Sequence, residues 1–235
     1  MFSKQASAAV SLIVLVCSGC HSGAAHSYKD DPNLTPLMNA ARYNDLPRVR
    51  KLLTEGADVK ARTGKGETAL YEAIYRADQY ADNLPVVDAL LKAGADPNEK
   101  EFPTPLILSL DIYGNPSVAL RLLRAGADVP HECPPQNSED SLVSLATMDS
   151  SLEVMRELIA KGSPVNCQFR GATALYWASL NGQSDRVALL LKSGADPRQQ
   201  DMDAAKTSSS DSRVRGDFAK TRQLLEQARN QENRK

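Results

Sequence analysis

Apolar residues in this chain fall in short runs at helical spacing, and run after run stops at a glycine. The clearest stretch lies between Gly171 and Asp196. Thr173 is placed to cap a helix carrying Ala174, Leu175, Ala178 and Leu180. Asn181-Gly182 breaks that helix, and Ser184 or Asp185 is placed to cap a second one through Val187, Leu190 and Leu191. Gly194 follows the last turn, where a positive φ is cheap only for glycine. Two helices this short cannot bury their own apolar face and need neighbours.

The neighbours repeat the pattern. Gly-Ala-Asp begins at Gly56, Gly94, Gly126 and Gly194, with Gly162-Ser163-Pro164 as a degenerate copy, so the stops recur at a near-constant interval. An apolar pair precedes each: Leu52-Leu53, Leu90-Leu91, Leu122-Leu123, Leu158-Ile159 and Leu190-Leu191. A helix start lies further upstream, at Thr35, Thr68, Thr104, Ser141 and Thr173. Thr68 and Thr104 stand further from their pairs than the other three starts do, so the second and third copies carry insertions between their helices. Asp78–Asn83, with Tyr80, is the longer one.

A period of about 33 residues, with Thr-Pro-Leu-x-x-Ala in front and Gly-Ala-Asp behind, resembles the ankyrin repeat. The resemblance covers Asn33 to Pro197 and implies an all-α solenoid of helix-turn-helix units with β-hairpin-like loops. It divides residues 33–198 into five repeats, at 33–62, 66–99, 102–130, 139–167 and 171–198. Residues 199–229 read as a degenerate C-terminal capping repeat, since Leu224 lies one period beyond Leu190, and 230–235 as a frayed tail. The family's histidine after Thr-Pro-Leu is absent, replaced by Met38, Tyr71, Ile107, Ser144 and Tyr176. The polar bridging it provides is therefore missing, or made in part by the tyrosines. The fourth copy matches worst and is the expected weak link of the array. In each turn the aspartates Asp58, Asp96, Asp128 and Asp196 are expected to bond backbone.

The first twenty residues follow a different rule. Lys4, an apolar run from Ala8 to Val16, and small residues before Cys20 read as a secretory signal rather than a spanning helix. Val16-Cys17-Ser18-Gly19-Cys20 resembles the lipobox of bacterial lipoproteins, which implies cleavage before Cys20 and lipidation of that residue. It departs at Cys17, where Leu or Val is usual, and ordinary cleavage near residues 19–25 stays open as the alternative. His21 in place of an aspartate favours the outer membrane over inner-membrane retention. Residues 21–32 read as a flexible tether. Nothing after residue 20 is apolar for long enough to span a bilayer. The expected location is thus the periplasmic side of the envelope, lipid-anchored to the outer membrane or soluble in the periplasm.

Charge narrows the partners. Lys and Arg number 28 against 29 Asp and Glu, which gives no basic field for nucleic acid. Hydrophobic residues are 42% and aromatics 5%, a composition for closely packed helices. Of three histidines only His131 falls near the folded part, and His131-Glu132-Cys133 has no third group to complete a nucleophilic site. Neither paired metal-ligand spacing nor a phosphate-cradling glycine run is present, so no enzyme, metal or cofactor is expected. Export would place Cys133 and Cys167 in an oxidising compartment, in loops after adjacent repeats. They are read as either a disulfide or two thiols, depending on whether the Cα atoms come within about 7 Å.

What the resemblance implies for function is protein binding through the concave face and the hairpin loops, by a monomer touching membrane only through its anchor. The corresponding residues are Arg42, Tyr43, Glu67, Tyr75, Arg76, Tyr80, Met148, Phe169, Arg170 and Leu180, with Lys65 and Asn181 beside them. Their mix of Tyr, Phe and Arg is enriched at interfaces. An immunity or inhibitor protein is one version; an envelope stress-protection or assembly scaffold is another; an enzyme with a site near His131 and Cys133 is the rival class. One prediction belongs to the signal itself. Cys20→Ala is expected to abolish incorporation of labelled lipid and move the protein out of the membrane fraction; unchanged fractionation would leave plain secretion.

Overall fold

Threonine hydroxyls open the helices at four of the repeat starts. Thr35, Thr68, Thr104 and Thr173 accept the backbone N–H of Met38, Tyr71, Ile107 and Tyr176 at 3.2, 3.1, 3.4 and 3.3 Å. Each bond satisfies a donor that the first helical turn leaves over. The computed structural model describes residues 30–75, 82–99, 103–110, 115–133, 141–149, 151–169, 171–208 and 216–232. Cys20, Arg76, Tyr80, Arg170 and most of the Asp78–Asn83 insertion lie outside them, as do the side chains of Met148 and Phe169.

Among the described residues twelve helices follow in pairs. The pairs are α1 (Pro36–Arg42) with α2 (Leu46–Thr54), α3 (Ala69–Tyr75) with α4 (Leu84–Lys92), and α5 (Pro105–Leu110) with α6 (Pro116–Arg124). Then come α7 (Leu142–Asp149) with α8 (Leu152–Ala160), α9 (Ala174–Leu180) with α10 (Ser184–Lys192), and α11 (Gln199–Ser208) with α12 (Phe218–Glu232). First helices pack on first helices of the next pair (α1, α3, α5, α7, α9, α11), and second on second, which makes the array a solenoid. A short antiparallel ribbon, β1 (Gln168–Phe169) with β2 (Ala172–Thr173), forms where the chain turns back through Gly171 at φ +79°.

Small residues let the first helices approach. Ala40, Ala73, Ala146 and Ala178 are sealed from solvent, and Ser109 takes that place in the third repeat, donating to the Leu106 carbonyl at 2.7 Å. Leu90, Leu122, Leu158 and Leu190 then fill the gap to the neighbour with no exposed surface, each contributing roughly 1.5–3 kcal/mol of burial. The second member of the pair is half-buried except Leu123, and in the first repeat Leu52 is half-buried too. The fourth repeat, the poorest in sequence, is as buried as its neighbours: Val143, Ala146, Val154, Met155 and Leu158 are all sealed. At its histidine position Ser144 meets the Ser141 hydroxyl at 3.0 Å and donates to the Cys167 carbonyl at 3.4 Å. At the same position in the second and fifth repeats Tyr71 stacks on Tyr75 and Tyr176 meets Trp177 edge-on.

Turn chemistry differs from expectation at several points. Asp58 and Asp96 accept backbone N–H groups two residues on, both at 2.9 Å. Asp128 and Asp196 instead give their own N–H to an asparagine of the preceding repeat. Neither Ser184 nor Asp185 caps α10. Gln183 holds that position without a side-chain bond, because the tight turn at Gly182 starts the helix at Ser184 and puts Asp185 in its first turn. Cys133 and Cys167 stand at disulfide distance, Sγ atoms 2.11 Å and Cα atoms 5.2 Å apart.

The last pair closes the array by a close backbone approach. A Cβ on Gly216 would lie 2.7 Å from the Gly182 Cα, so only glycine fits, and the next N–H, of Asp217, donates to the Gly182 carbonyl at 2.8 Å. Asp217 then caps α12 through Lys220 N–H at 3.0 Å. That helix runs to Glu232, so residues 230–232 are helical rather than frayed. Arg229 ties its last part to α11 by donating to the Gln199 Oε1 at 2.7 Å.

One group of this cap is costly. Asp201 is fully buried; its Oδ2 accepts the Arg198 N–H at 2.6 Å and its Oδ1 has no partner among the described residues. Burial pushes the carboxyl up from 3.8 to about 6, with Asp196 adding to the rise and Arg198 opposing it. Because the folded state holds this proton more tightly than the unfolded chain, the group's stabilisation is full below pH 3.8 and is lost as pH rises through 6. The shift corresponds to about 3 kcal/mol. Asp201→Asn is expected to raise the unfolding midpoint at pH 7 and flatten the pH 4–7 dependence, measured by denaturant titration at several pH values. An unchanged pH profile would mean that Asp201 is not the group responsible.

Candidate protein-binding surface

The first helices end on one side of the array, and the register of the repeat sets which residues gather there. The position seven after the Thr or Ser at each repeat start is Arg42, Tyr75, Met148 and Leu180 in repeats one, two, four and five. Tyr43 and Asn181 follow at the next position in the first and fifth.

The structure does not leave these residues equal. Arg42 turns inward: its Nε donates to the Glu72 carboxylate at 2.8 Å and its Nη1 to Asp31 at 3.2 Å. Glu72 is buried on α3, with 1% of its side chain exposed, and Arg42 keeps 19%. The hydrogen bond and charge of Glu72, helped by Asp31, hold the guanidinium above its usual range against the opposing effect of burial. Arg42 is therefore a clamp between the first two repeats rather than an open contact. The sequence gives no hint of this, because its partner lies 30 residues away.

Tyr75 turns outward. It is the one exposed large hydrophobic residue among those described, at 51%, and its ring stacks on Tyr71 with centroids 5.3 Å apart. Tyr71, overlooked as a candidate because it sits in the histidine position, is marked by its i, i+4 spacing from Tyr75. Glu67 is half-buried at the tip of the first long loop. Its carboxylate accepts the Thr63 hydroxyl at 3.1 Å and its carbonyl accepts the Thr63 N–H at 2.9 Å, with Lys65 exposed between. Tyr43 and Leu180 are half-buried, and Trp177 meets Tyr176 edge-on at 5.6 Å. Asn181 donates back to the Trp177 carbonyl at 3.0 Å and closes its own helix.

Charge is divided between the two helix layers. Helices α3, α5, α7 and α9 contain no Lys or Arg, and their acidic residues are the clamped Glu72 and Asp149. The second helices carry the ions, with Asp88 bonded to Lys92 and Arg121, both at 2.6 Å, and Arg124 to Glu153 at 3.1 Å. Lys92 and Arg121 hold the Asp88 carboxyl below its ordinary range. Among the described residues the ends of α3 and α9 thus offer aromatic and aliphatic surface with no basic side chain on either helix. His131 is exposed, and the Cys133 sulfur is taken up by Cys167. Among the described residues no three His, Cys, Asp or Glu side chains could hold a metal ion. Among them, too, no helix is long and apolar enough to cross a membrane.

Comparison with known proteins follows the same lines. The family model described as ankyrin repeats (3 copies) matches twice, over residues 5–101 and 106–201. Mitochondrial disaggregase of Bos taurus is 32% identical over 184 residues, which are 74% of this chain and 21% of that protein. The chain spans about a quarter or less of the first curated relatives it matches. Among solved structures, an ankyrin repeat domain from Acinetobacter baumannii is 28% identical with a TM-score of 0.61, covering 82% of this chain and 97% of that one. A chain from the complex of a predatory endopeptidase of Bdellovibrio bacteriovorus with an immunity protein matches at 24% identity and TM-score 0.60, over 83% and 98%. That second likeness is one of fold.

The contrast between Arg42 and Tyr75 gives a test. Arg42→Ala leaves the Glu72 charge buried and is expected to cost about 3 kcal/mol. Tyr75→Ala, at a half-exposed ring, is expected to cost under about 1 kcal/mol. Denaturant midpoints of the two variants check this, and equal losses would contradict the assignment.

Proposed function

Since the chain belongs to the ankyrin repeat family, we propose that it is a non-enzymatic protein-binding module of the bacterial cell envelope, taking its partner on the first-helix ends and loop tips. The observation that carries this reading is the division of charge: a side with no basic residue on four successive first helices, opened by the stacked Tyr71 and Tyr75. Aromatic side chains that become buried on binding are enriched among the residues that dominate binding energy, and interface cores are depleted of charge. Ankyrin repeat domains are in general binding modules without catalysis, and the pairing of Cys133 with Cys167 removes the thiol that an enzymatic site near His131 would use.

The location part of the proposal rests on the apolar run and Cys20: an exported monomer, lipid-anchored on the periplasmic side of the outer membrane. A bare binding scaffold held there suits an immunity or inhibitor protein, one that occludes an enzyme reaching the same compartment. Tyr43, Glu67, Tyr75 and Leu180 are the contacts proposed from the described residues; Arg76, Tyr80, Met148, Phe169 and Arg170 extend the same surface.

Photo-crosslinking in intact cells tests both parts. A crosslinker at Tyr75 or Leu180 is expected to give a discrete protein adduct, and one at the exposed Arg156 of α8 none. For the inhibitor version, the captured protein should be an enzyme that wild-type chain inhibits and the Tyr75→Ala/Leu180→Ala variant inhibits at least about tenfold less, a change of about 1.4 kcal/mol. Adducts equally strong from both sides would overturn the surface; a captured protein with no activity to inhibit would overturn the inhibitor version.

A further inference from the structure

The joints of this array are not fastened alike. Across the joint of the second and third repeats, Asn98 donates through Nδ2 to the Gly126 carbonyl at 3.0 Å and accepts the Asp128 N–H on Oδ1 at 2.7 Å. Across the joint of the fourth and fifth, Asn166 makes the same two bonds, to the Gly194 carbonyl and from the Asp196 N–H, both at 3.0 Å. Each asparagine stands four residues after its repeat's terminal glycine, and each donated N–H two residues after the next one.

At the joint of the third and fourth repeats those two positions are Pro130 and Pro164. Pro130 has no side-chain amide, and Pro164 has no N–H to give. Both halves of the staple are deleted together. In its place Cys133 and Cys167 join the same two loops, 34 residues apart in sequence. Among the described residues the polar side-chain link elsewhere across this joint is Arg124–Glu153, with both side chains about three-fifths exposed, and such pairs add little in water.

We propose that the Cys133–Cys167 bond is the latch of this joint in place of the asparagine staple, so that the chain is a substrate of thiol–disulfide exchange and this joint closes only on oxidation. The oxidant is a disulfide carrier, either a protein or a small molecule. Cys133 is exposed and Cys167 buried, which sets the order of events. The Cys133 thiolate attacks the carrier disulfide, forming a mixed disulfide and expelling one carrier thiolate. The Cys167 thiolate then attacks the Cys133 sulfur and expels the second. Two protein thiols become one disulfide, the carrier takes both electrons, and the two protons end on its thiols. Nothing in this step depends on the partner or the location proposed above.

Hydrogen exchange on the full chain, in buffers of reduced or oxidised glutathione, reads the latch directly. The amides of Gly162 and Ser163 bond back to the end of α8, to the Ile159 and Leu158 carbonyls at 2.9 and 3.0 Å. On reduction they are expected to exchange at least about tenfold faster, while those of Gly94 and Ala95, in a loop that neither cysteine touches, change by less than about twofold. Cys133→Ala/Cys167→Ala should match the reduced protein. Adding Pro130→Asn and Pro164→Asp, which rebuild both halves of the staple, should restore protection and make it indifferent to glutathione. Unchanged exchange at Gly162 and Ser163 on reduction would overturn the proposal, as would equal acceleration in all loops or a folded staple variant that regains no protection. Should the staple variant fail to fold, the comparison of reduced and oxidised wild-type protein decides alone.

Discussion

No unit of this chain can bury its own apolar face, so every structural property is inherited from the joints between units. A pair of helices of seven and nine residues is below the length at which helices persist alone in water. What holds them is the alanine-lined contact between first helices and the leucine that reaches across from the second. This explains why the fourth repeat, though poorly spelled, is as sealed as the rest: Val143, Ala146 and Leu158 keep the volume and the period even where Thr-Pro-Leu and Gly-Ala-Asp are lost. The array reads apolar volume, and the familiar letters are only its commonest solution.

The two ends solve a different problem, since among the described residues each has only one neighbouring repeat. At the N-terminal end Asn39 is buried and clasps the entering chain, accepting the Asp31 N–H at 2.9 Å and donating to the carbonyls of Asp31, Leu34 and Thr35. At the C-terminal end α11 and α12 cover the last pair, but with buried polar atoms left over: Ser179, Gln183, Asp201 and Thr221 each have one without a partner among the described residues. The cap is therefore the less well satisfied end, and one carboxylate makes it pH-sensitive.

The all-α architecture, the helix starts and the glycine stops were legible because each rests on local chemistry that recurs in register. A threonine hydroxyl reaches three residues ahead, and the glycine at each repeat's stop (Gly56, Gly94, Gly126, Gly162, Gly194) adopts positive φ. The features that escaped depend on residues one repeat away. Arg42 looks like a surface arginine until Glu72 is placed beside it, and Asn98 looks like a turn residue until Asp128 is. Asp201 gave no warning either, since an aspartate in the first turn of a helix is ordinary, and only the burial of α11 between α9 and α12 makes it costly. Of the candidate surface, the register of first-helix ends was readable, whereas which residues it leaves free was not.

That last distinction limits what such a scaffold can do for recognition. Each register position at a first-helix end either fastens a joint or faces outward, and the side chain cannot serve both. Arg42 and Tyr75 occupy the same position in adjacent repeats; the first closes a joint with a buried ion pair, the second exposes half its ring. Removing basic residues from α3, α5, α7 and α9 leaves those helices without ionic clamps of the Arg42 kind. Their joints must then be fastened elsewhere, and they are: by asparagine in two loops, by cysteines in a third, and by ion pairs along the second helices. First helices without ionic clamps and loop-borne fastening are two sides of one constraint, because whatever side chains the first helices turn outward, the loops and second helices must replace in holding the repeats together.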